Sequence, residues 1–264
     1  MAGKPAFSDT ELLAPCRLEY YEPKFELSKA DSFYPQFSAE WILYSDPDLG
    51  VAFKPAGLPT TAARDQQQFH LSRYLSRFLD SPIHMPSRLD TAVSGLLLFS
   101  RSQRANRWCQ KAFEKHLLEK LYVCEVSGRP QFSDSEISHS LGRDERHPVL
   151  RRVVSPGGED ARTRLSTLAC FETDSSQRAL VQAQPLTGRT HQIRVHCAAE
   201  GYPIVGDPLY GGLEAASLKL TSLALRFRHP FLNRQEFFEL PLALYPSWLQ
   251  DITKAGMTVR LRIP

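Results

Sequence analysis

The chain has 264 residues, 42% hydrophobic and 23% charged, a globular composition that excludes a mostly disordered chain. Its apolar runs, such as Leu96–Phe99, are far shorter than the ~18 residues of a membrane span, and the first residues, MAGKPAFSDTELLAP, lack the apolar core of a secretory signal. Net charge is +3, split into −5 over residues 1–50 and +8 over residues 51–264, and 23 of the 32 basic residues are Arg. Arg grips phosphate with a rigid fork and stacks on bases, so the bias suits nucleic acid; a GC-rich coding sequence would enrich Arg with no function attached, and both explanations stand. Five cysteines, at 16, 109, 124, 170 and 197, form no C-x-x-C pair. They read as reduced thiols of a cytoplasmic protein, not as a disulfide or zinc framework.

Residues 1–38 have no clear period and read as an acidic extension; we place the domain boundary at 39/40 and a single domain over 40–264. Residues 41–45 and 50–53 read as strands around Asp46-Pro47-Asp48, with Lys54-Pro55-Ala56-Gly57 as a loop. Leu71, Tyr74, Leu75, Phe78 and Leu79 recur at helical spacing over 70–79. Gly95–Ser100 is a buried strand. Ser102 caps a helix whose stripe is Ala105, Trp108, Cys109, Ala112, Phe113 and Leu117. Leu121–Val126 is a strand. The polar stretch from Gly128 to Asp160, with Arg143, Arg146, Arg151 and Arg152, is either a hairpin or loop that meets RNA or a solvated surface loop. Strands follow at 165–171 and 179–185, a helix over 190–200 closed by Gly201, strands at 223–227 and 237–240, and a short helix at 246–254. Strands and helices do not alternate strictly, so the fold class is α+β with a mixed, mainly antiparallel sheet flanked by helices.

Three stretches carry candidate chemistry. Pro86–Leu98 sets Arg88 and Asp90 on a turn before the buried strand, a rigid place for a carboxylate, although an isolated R-x-D is usually an ordinary turn. Thr187–His196 runs from a glycine loop into a helix N-terminus, a natural anion site; His191 and Arg194 share a face opposite Ile193 and Cys197. His191 and His196 are five apart, on different faces, and no H-E-x-x-H is present, so no metal is expected. Gly201–Gly211 holds tight turns. Neither G-x-x-x-x-G-K-[ST] nor G-x-G-x-x-G occurs, so no nucleotide cofactor is expected. A hydrolase built on His191 or His196 lacks a matching nucleophile pattern.

Taken together, six segments in order resemble the RluA-type family of RNA pseudouridine synthases over roughly residues 40–245. They are Lys54-Pro55-Ala56-Gly57-Leu58, Arg88-Leu89-Asp90 with Ser94–Leu98, Lys120-x-Tyr122 running to Gly128, Thr187–His196, Gly206-Asp207-x-x-Tyr210-Gly211, and Leu223 to His229-Pro230. The resemblance implies the pseudouridine synthase fold with a central active-site cleft, and an isomerase that converts uridine in structured tRNA or rRNA to pseudouridine. It implies Asp90 as the catalytic carboxylate, Arg194 as its ion-pair partner and Tyr122 as the ring that stacks on uracil. Arg88 then helps to displace the base, and Lys54, Arg189, His191 and Gln192 bind substrate. It implies no cofactor and no metal, an RNA partner and not DNA or membrane, and, as the simplest state, a monomer. A non-catalytic RNA-binding protein or RNA chaperone on the same fold is the competing reading.

The chemistry explains these residue types. The glycosidic nitrogen–carbon bond must break, and the free ring must turn and rejoin through carbon 5. A carboxylate can attack the ring, attack the sugar or remove a sugar proton, and sequence leaves these routes open. Each needs an ionised Asp, which burial without a cation would protonate. Arg supplies the cation. A flat Tyr holds the loose ring with ~1–3 kcal/mol of stacking, and phosphate contacts offset the few kcal/mol of extruding a nucleotide. Two positions depart from the family pattern: Ser87 stands where many members have His, and Val93 where many have Thr. The small basic N-terminal RNA-binding domain of many members is not expected here, which leaves RNA selection to the catalytic domain and the Arg143–Arg152 region.

Overall fold

The computed structural model describes residues 34–62, 68–144, 151–153, 157–173, 176–257 and 259–262. The acidic stretch 1–33, Cys16 and Arg146 lie outside them. The chain falls into two units, Met1–Tyr34 and Pro35–Pro264, and every element named below belongs to the second.

Ten strands among the described residues form one sheet: β1 (Ile42–Ser45), β2 (Leu49–Lys54), β3 (Ser94–Ser100), β4 (Glu119–Ser127), β5 (Ser135–Arg143), β6 (Arg151–Val153), β7 (Glu159–Thr173), β8 (Ser176–Pro185), β9 (Leu220–Arg228) and β10 (Gln235–Glu239). Their order is β1-β2-β3-β9-β4-β8-β7-β5-β6, with β10 beside the far half of β9. Every pairing is antiparallel except β3 with β9. The helices are α1 (Leu71–Leu79), α2 (Gln103–Glu114), α3 (Gln192–Ala199) and α4 (Ser247–Lys254). The α+β class with a mixed, mainly antiparallel sheet is therefore the observed architecture.

Local sequence accounts for the elements that hold the site. β2 and β3 are buried along their whole length, which is why they read as continuous apolar runs. Ser102 accepts the Ala105 N–H and caps α2, whose Ala105, Cys109 and Ala112 are buried. The His70 side chain caps α1 by accepting from Arg73 N–H. Phe37, Trp41, Tyr74 and Phe78 form an aromatic cluster against α1. The four cysteines among the described residues are unbridged.

β3 and β9 meet through only two residue pairs, Ser94 with Thr221 and Gly95 with Ser222. Side chains extend this short ladder: Ser94 Oγ and Thr221 Oγ1 lie 3.0 Å apart, and Ser222 Oγ donates to the Leu96 carbonyl at 3.1 Å. Gly95, with φ +122°, allows the approach, since a Cβ there would lie 2.2 Å from the Ser222 carbonyl oxygen.

Of the alternatives for Gly128–Asp160, the described residues take the hairpin: β5, β6 and the start of β7 make a three-stranded polar hairpin, with Leu141–Arg143 on Arg151–Val153. Its strand pattern is sparse because only Ile137 and Leu141 of β5 are buried. α3 is packed inside the fold. Residues Gln192–Cys197 are all buried, and its polar side chains meet partners inside the fold.

His196 of α3 is one of them. Its Nδ1 lies 2.9 Å from Thr163 Oγ1 and its ring packs edge-on against His139. Burial, helped by the His139 charge, pulls its pKa from 6.5 to about 4. The unfolded chain takes up this proton near 6.5 and the folded chain only near 4, so stability is lost as pH falls through that window. Urea unfolding should show a loss of about 2 kcal/mol between pH 7 and pH 5 from this residue. The loss should be smaller in His196→Phe; equal slopes in both proteins would remove His196 as its source.

Candidate active site

Asp90 opens a turn in which Val93 N–H bonds back to the Asp90 carbonyl, directly before β3. The β2 end and the loop after it hold this turn. Thr60 Oγ1 and the Leu89 main chain bond reciprocally, and Gly57 N–H donates to Thr91 O at 2.8 Å. Lys54 is fully buried, and its Nζ donates to the carbonyls of Pro55, Leu58 and Thr91 at 2.9, 2.7 and 3.2 Å. Three carbonyls match the three N–H groups of an ammonium. Burial lowers its pKa to about 7, and the Asp90 charge opposes that fall. Lys54, which the resemblance implied as a substrate-binding residue, is thus engaged with three carbonyls of the protein and braces the loop that carries Asp90.

Arg194 projects from α3 between two carboxylates. Its Nε and Nη2 each donate to Asp207 at 2.7 Å, and Nη1 donates to Asp90 at 3.2 Å. Asp207 is fully buried, Arg194 side-chain exposure is 6%, and that of Asp90 is 30%. Burial works against the guanidinium charge, but Asp207 first and Asp90 second outweigh it, and the pKa rises. Asp207 is fixed in turn by Leu209 N–H and by a turn entered through Gly206 at φ +78°, where a Cβ would strike Ser217 O. The fork-to-fork pair is thus made with Asp207, while Asp90 takes one N–H of Nη1 and keeps one side open.

A cleft of about 1280 Å³ surrounds Asp90, bordered by Arg88, Tyr122, Arg189, His191 and Arg194. This exceeds the ~300–1,000 Å³ of small-molecule pockets and suits part of a polymer. The Tyr122 ring, on β4, is buried in the cleft wall; burial raises its pKa, so it is a neutral phenol. Arg88 is exposed on the rim. Arg189 also lies there, 2.8 Å from Glu159 and 3.0 Å from Asp160 O. Gln192, expected to bind substrate, is committed to the protein: Oε1 accepts from Thr187 Oγ1 and Arg189 N–H, and Nε2 donates to Arg162 O and Thr163 Oγ1. His191 is buried beside the cleft with Nε2 3.6 Å from Asp90 Oδ2.

Asp90, Arg194 and Tyr122 thus line one site, with Arg88 and Arg189 on its rim. Sequence reasoning did not single out Asp207 or Tyr210, although both stand in the Gly206–Gly211 segment that supported the resemblance. An Asp in a Gly-Asp-Pro turn looks like turn chemistry, and only the fold brings it to a buried Arg. Among the described residues no cluster of three or more His, Cys, Asp or Glu is placed to hold a metal ion, and no helix is long and apolar enough to cross a membrane.

Comparison with known proteins places this site in a family. The RNA pseudouridylate synthase family matches residues 48–199, which include Asp90, Tyr122 and Arg194. The chain is 34% identical over 191 residues to the uncharacterized RNA pseudouridine synthase YhcT of Bacillus subtilis, covering 70% of this chain and 62% of that one. It is 30% identical over 217 residues to the dual-specificity RNA pseudouridine synthase RluA of Vibrio cholerae, covering 80% and 86%. The solved structure of human RNA pseudouridylate synthase domain containing 1 superposes with a TM-score of 0.64 at 25% identity, over 82% of this chain and 94% of that chain. The chain belongs to the RNA pseudouridine synthase family, whose members are isomerases acting on RNA.

Proposed function

We propose that residues 40–264 form a cytoplasmic, monomeric RNA pseudouridine synthase domain, with residues 1–39 as its acidic extension, that converts uridines of structured tRNA or rRNA to pseudouridine using Asp90. The observation that carries this reading is Arg194: buried, paired on one side with Asp207, and offering an Nη1–H to a half-open carboxylate inside a polymer-sized cleft. Such a cation is held against the Asp90 carboxyl group without enclosing it. A single chain supplies every group of the site, which supports the monomer.

In the reaction the bond from ribose C1′ to uracil N1 breaks and one from C1′ to C5 forms. The C5 proton leaves and N1 takes one up, so substrate and product are isomers. Asp90 drives the glycosidic exchange, and Tyr122 keeps the detached ring flat in the cleft. Arg88 and Arg189 hold the opened RNA by its phosphates. Tyr122→Phe should retain activity within about tenfold, because the flat face remains. Tyr122→Ala should lose about tenfold to a hundredfold. Tritium release from RNA labelled at uracil C5 measures both, and equal rates for Phe and Ala would remove the stacking role.

Incubating the purified protein with unmodified tRNA and rRNA, then mapping pseudouridine at nucleotide resolution, tests the function. New pseudouridine at discrete sites supports it. Tight RNA binding with no new pseudouridine on any RNA would instead favour the non-catalytic RNA-binding reading.

A further inference from the structure

The last residue before α3 sits in an unusual conformation. His191 has φ 58° and ψ 16°, the left-handed region, with no side-chain cap on the helix it precedes. Left-handed backbone is uncommon outside glycine and is concentrated at sites where geometry matters. The conformation turns the imidazole away from α3 so that one nitrogen meets Tyr210 and the other faces Asp90.

The hydrogen bonds define which nitrogen does what. Tyr210 Oη accepts the Arg151 N–H of β6 at 3.0 Å and lies 2.7 Å from His191 Nδ1. With a main-chain donor already on the hydroxyl oxygen, its proton is free to point to Nδ1. Burial raises the Tyr210 phenol pKa and lowers that of His191, so the pair is a neutral phenol and a neutral imidazole. A neutral imidazole accepting at Nδ1 carries its hydrogen on Nε2. Nε2 lies 3.6 Å from Asp90 Oδ2, just beyond hydrogen-bond range. Contacts of this kind commonly tighten when substrate fills a site.

Tyr210 itself is well fixed. It packs on the buried cluster Leu141, Ala161 and Val195, and the Arg194 guanidinium lies 5.1 Å from its ring centre. It therefore touches both groups that face Asp90: its hydroxyl meets His191 and its ring lies under Arg194.

We propose that Tyr210 and His191 form a positioning couple in which the tyrosine hydroxyl fixes the imidazole tautomer so that Nε2–H donates to Asp90 during turnover. The inference rests on Asp90 being the reacting carboxylate. It gives His191 a role distinct from substrate binding, and it gives Asp90 two donors, the charged Arg194 from α3 and the neutral His191 just before it.

The couple predicts a split in the kinetics. His191→Leu should lower kcat about tenfold while leaving KM for the RNA within about twofold. His191→Gln, whose amide can present an N–H near the same place, should recover most of that loss. Tyr210→Phe should lower kcat by a smaller factor, and the Tyr210→Phe/His191→Leu double variant should be no slower than His191→Leu alone. Independently of activity, nitrogen NMR of histidine-labelled protein, with the His191 signal assigned from its loss in His191→Gln, should report the Nε2–H tautomer in the wild type and a mixture in Tyr210→Phe.

A wild-type His191 with its proton on Nδ1 would overturn the proposal, as would additive kinetic losses. A defect confined to KM would return His191 to RNA binding. If His191→Leu fails to fold, the tautomer measurement and Tyr210→Phe, which removes one oxygen only, still decide. A wild-type rate in Asp90→Asn would sink the assignment of the carboxylate while leaving the tautomer result standing, so the two failures are told apart.

Discussion

Asp90→Asn should abolish pseudouridine formation, by about a thousandfold or more, while RNA affinity stays within about twofold. The substitution keeps shape and removes only the charge. Phosphate contacts supply much of the affinity of a nucleic-acid-binding protein, and the rim arginines Arg88 and Arg189 stay in place in this variant. The stability cost should be small, since Asp90 is partly exposed and shares Arg194 with a better-placed partner. Tritium release and a filter-binding isotherm on the same RNA give the two quantities. Appreciable turnover in this variant would mean that the glycosidic exchange uses another group.

Asp207→Asn should be the most destabilising single change at the site. It leaves the Arg194 guanidinium, 6% exposed, without its fork partner and with only one contact to a carboxylate across the cleft. Removing one member of a buried pair costs about 3–5 kcal/mol, because the survivor stays buried and uncompensated. Urea midpoints should fall accordingly, with activity lost wherever the protein still folds. Replacing both members, Arg194→Met with Asp207→Leu, should recover most of the stability but none of the activity, since Asp90 then has no cation. A double variant that turns over RNA at the wild-type rate would deny Arg194 its part in the chemistry.

What sequence made legible follows from what kind of force builds each part. β2 and β3 are buried on both faces and α2 has one clean apolar stripe, so composition and period identify them. The β5–β7 hairpin draws its order from backbone pairing across a polar surface, and such pairing leaves little trace in residue type. The chemistry divides in the same way. Asp90, Tyr122 and Arg194 fall in short motifs whose residue types match the reaction. Lys54 falls in one too, but motif membership does not tell a side chain that meets substrate from one that braces a loop. Only the three carbonyls around its Nζ distinguish these. Asp207 and Tyr210 are 13 and 16 residues beyond Arg194 in a segment rich in turn formers, and their meaning exists only once the chain has folded back on α3.

The narrow meeting of β3 and β9 has a mechanical consequence. Asp90 enters from the side of that junction built on β1, β2 and β3, whereas Tyr122 on β4 and Arg194 on α3 belong to the other side. Asp90 and Arg194 are thus carried on opposite sides of a main-chain ladder two residue pairs long, reinforced by the hydroxyls of Ser94, Thr221 and Ser222 and by the contacts of His229 with Asp46 and of Tyr44 with Phe238. The 3.2 Å spacing between Asp90 and Arg194 therefore depends on packing at that junction as well as on the two side chains themselves.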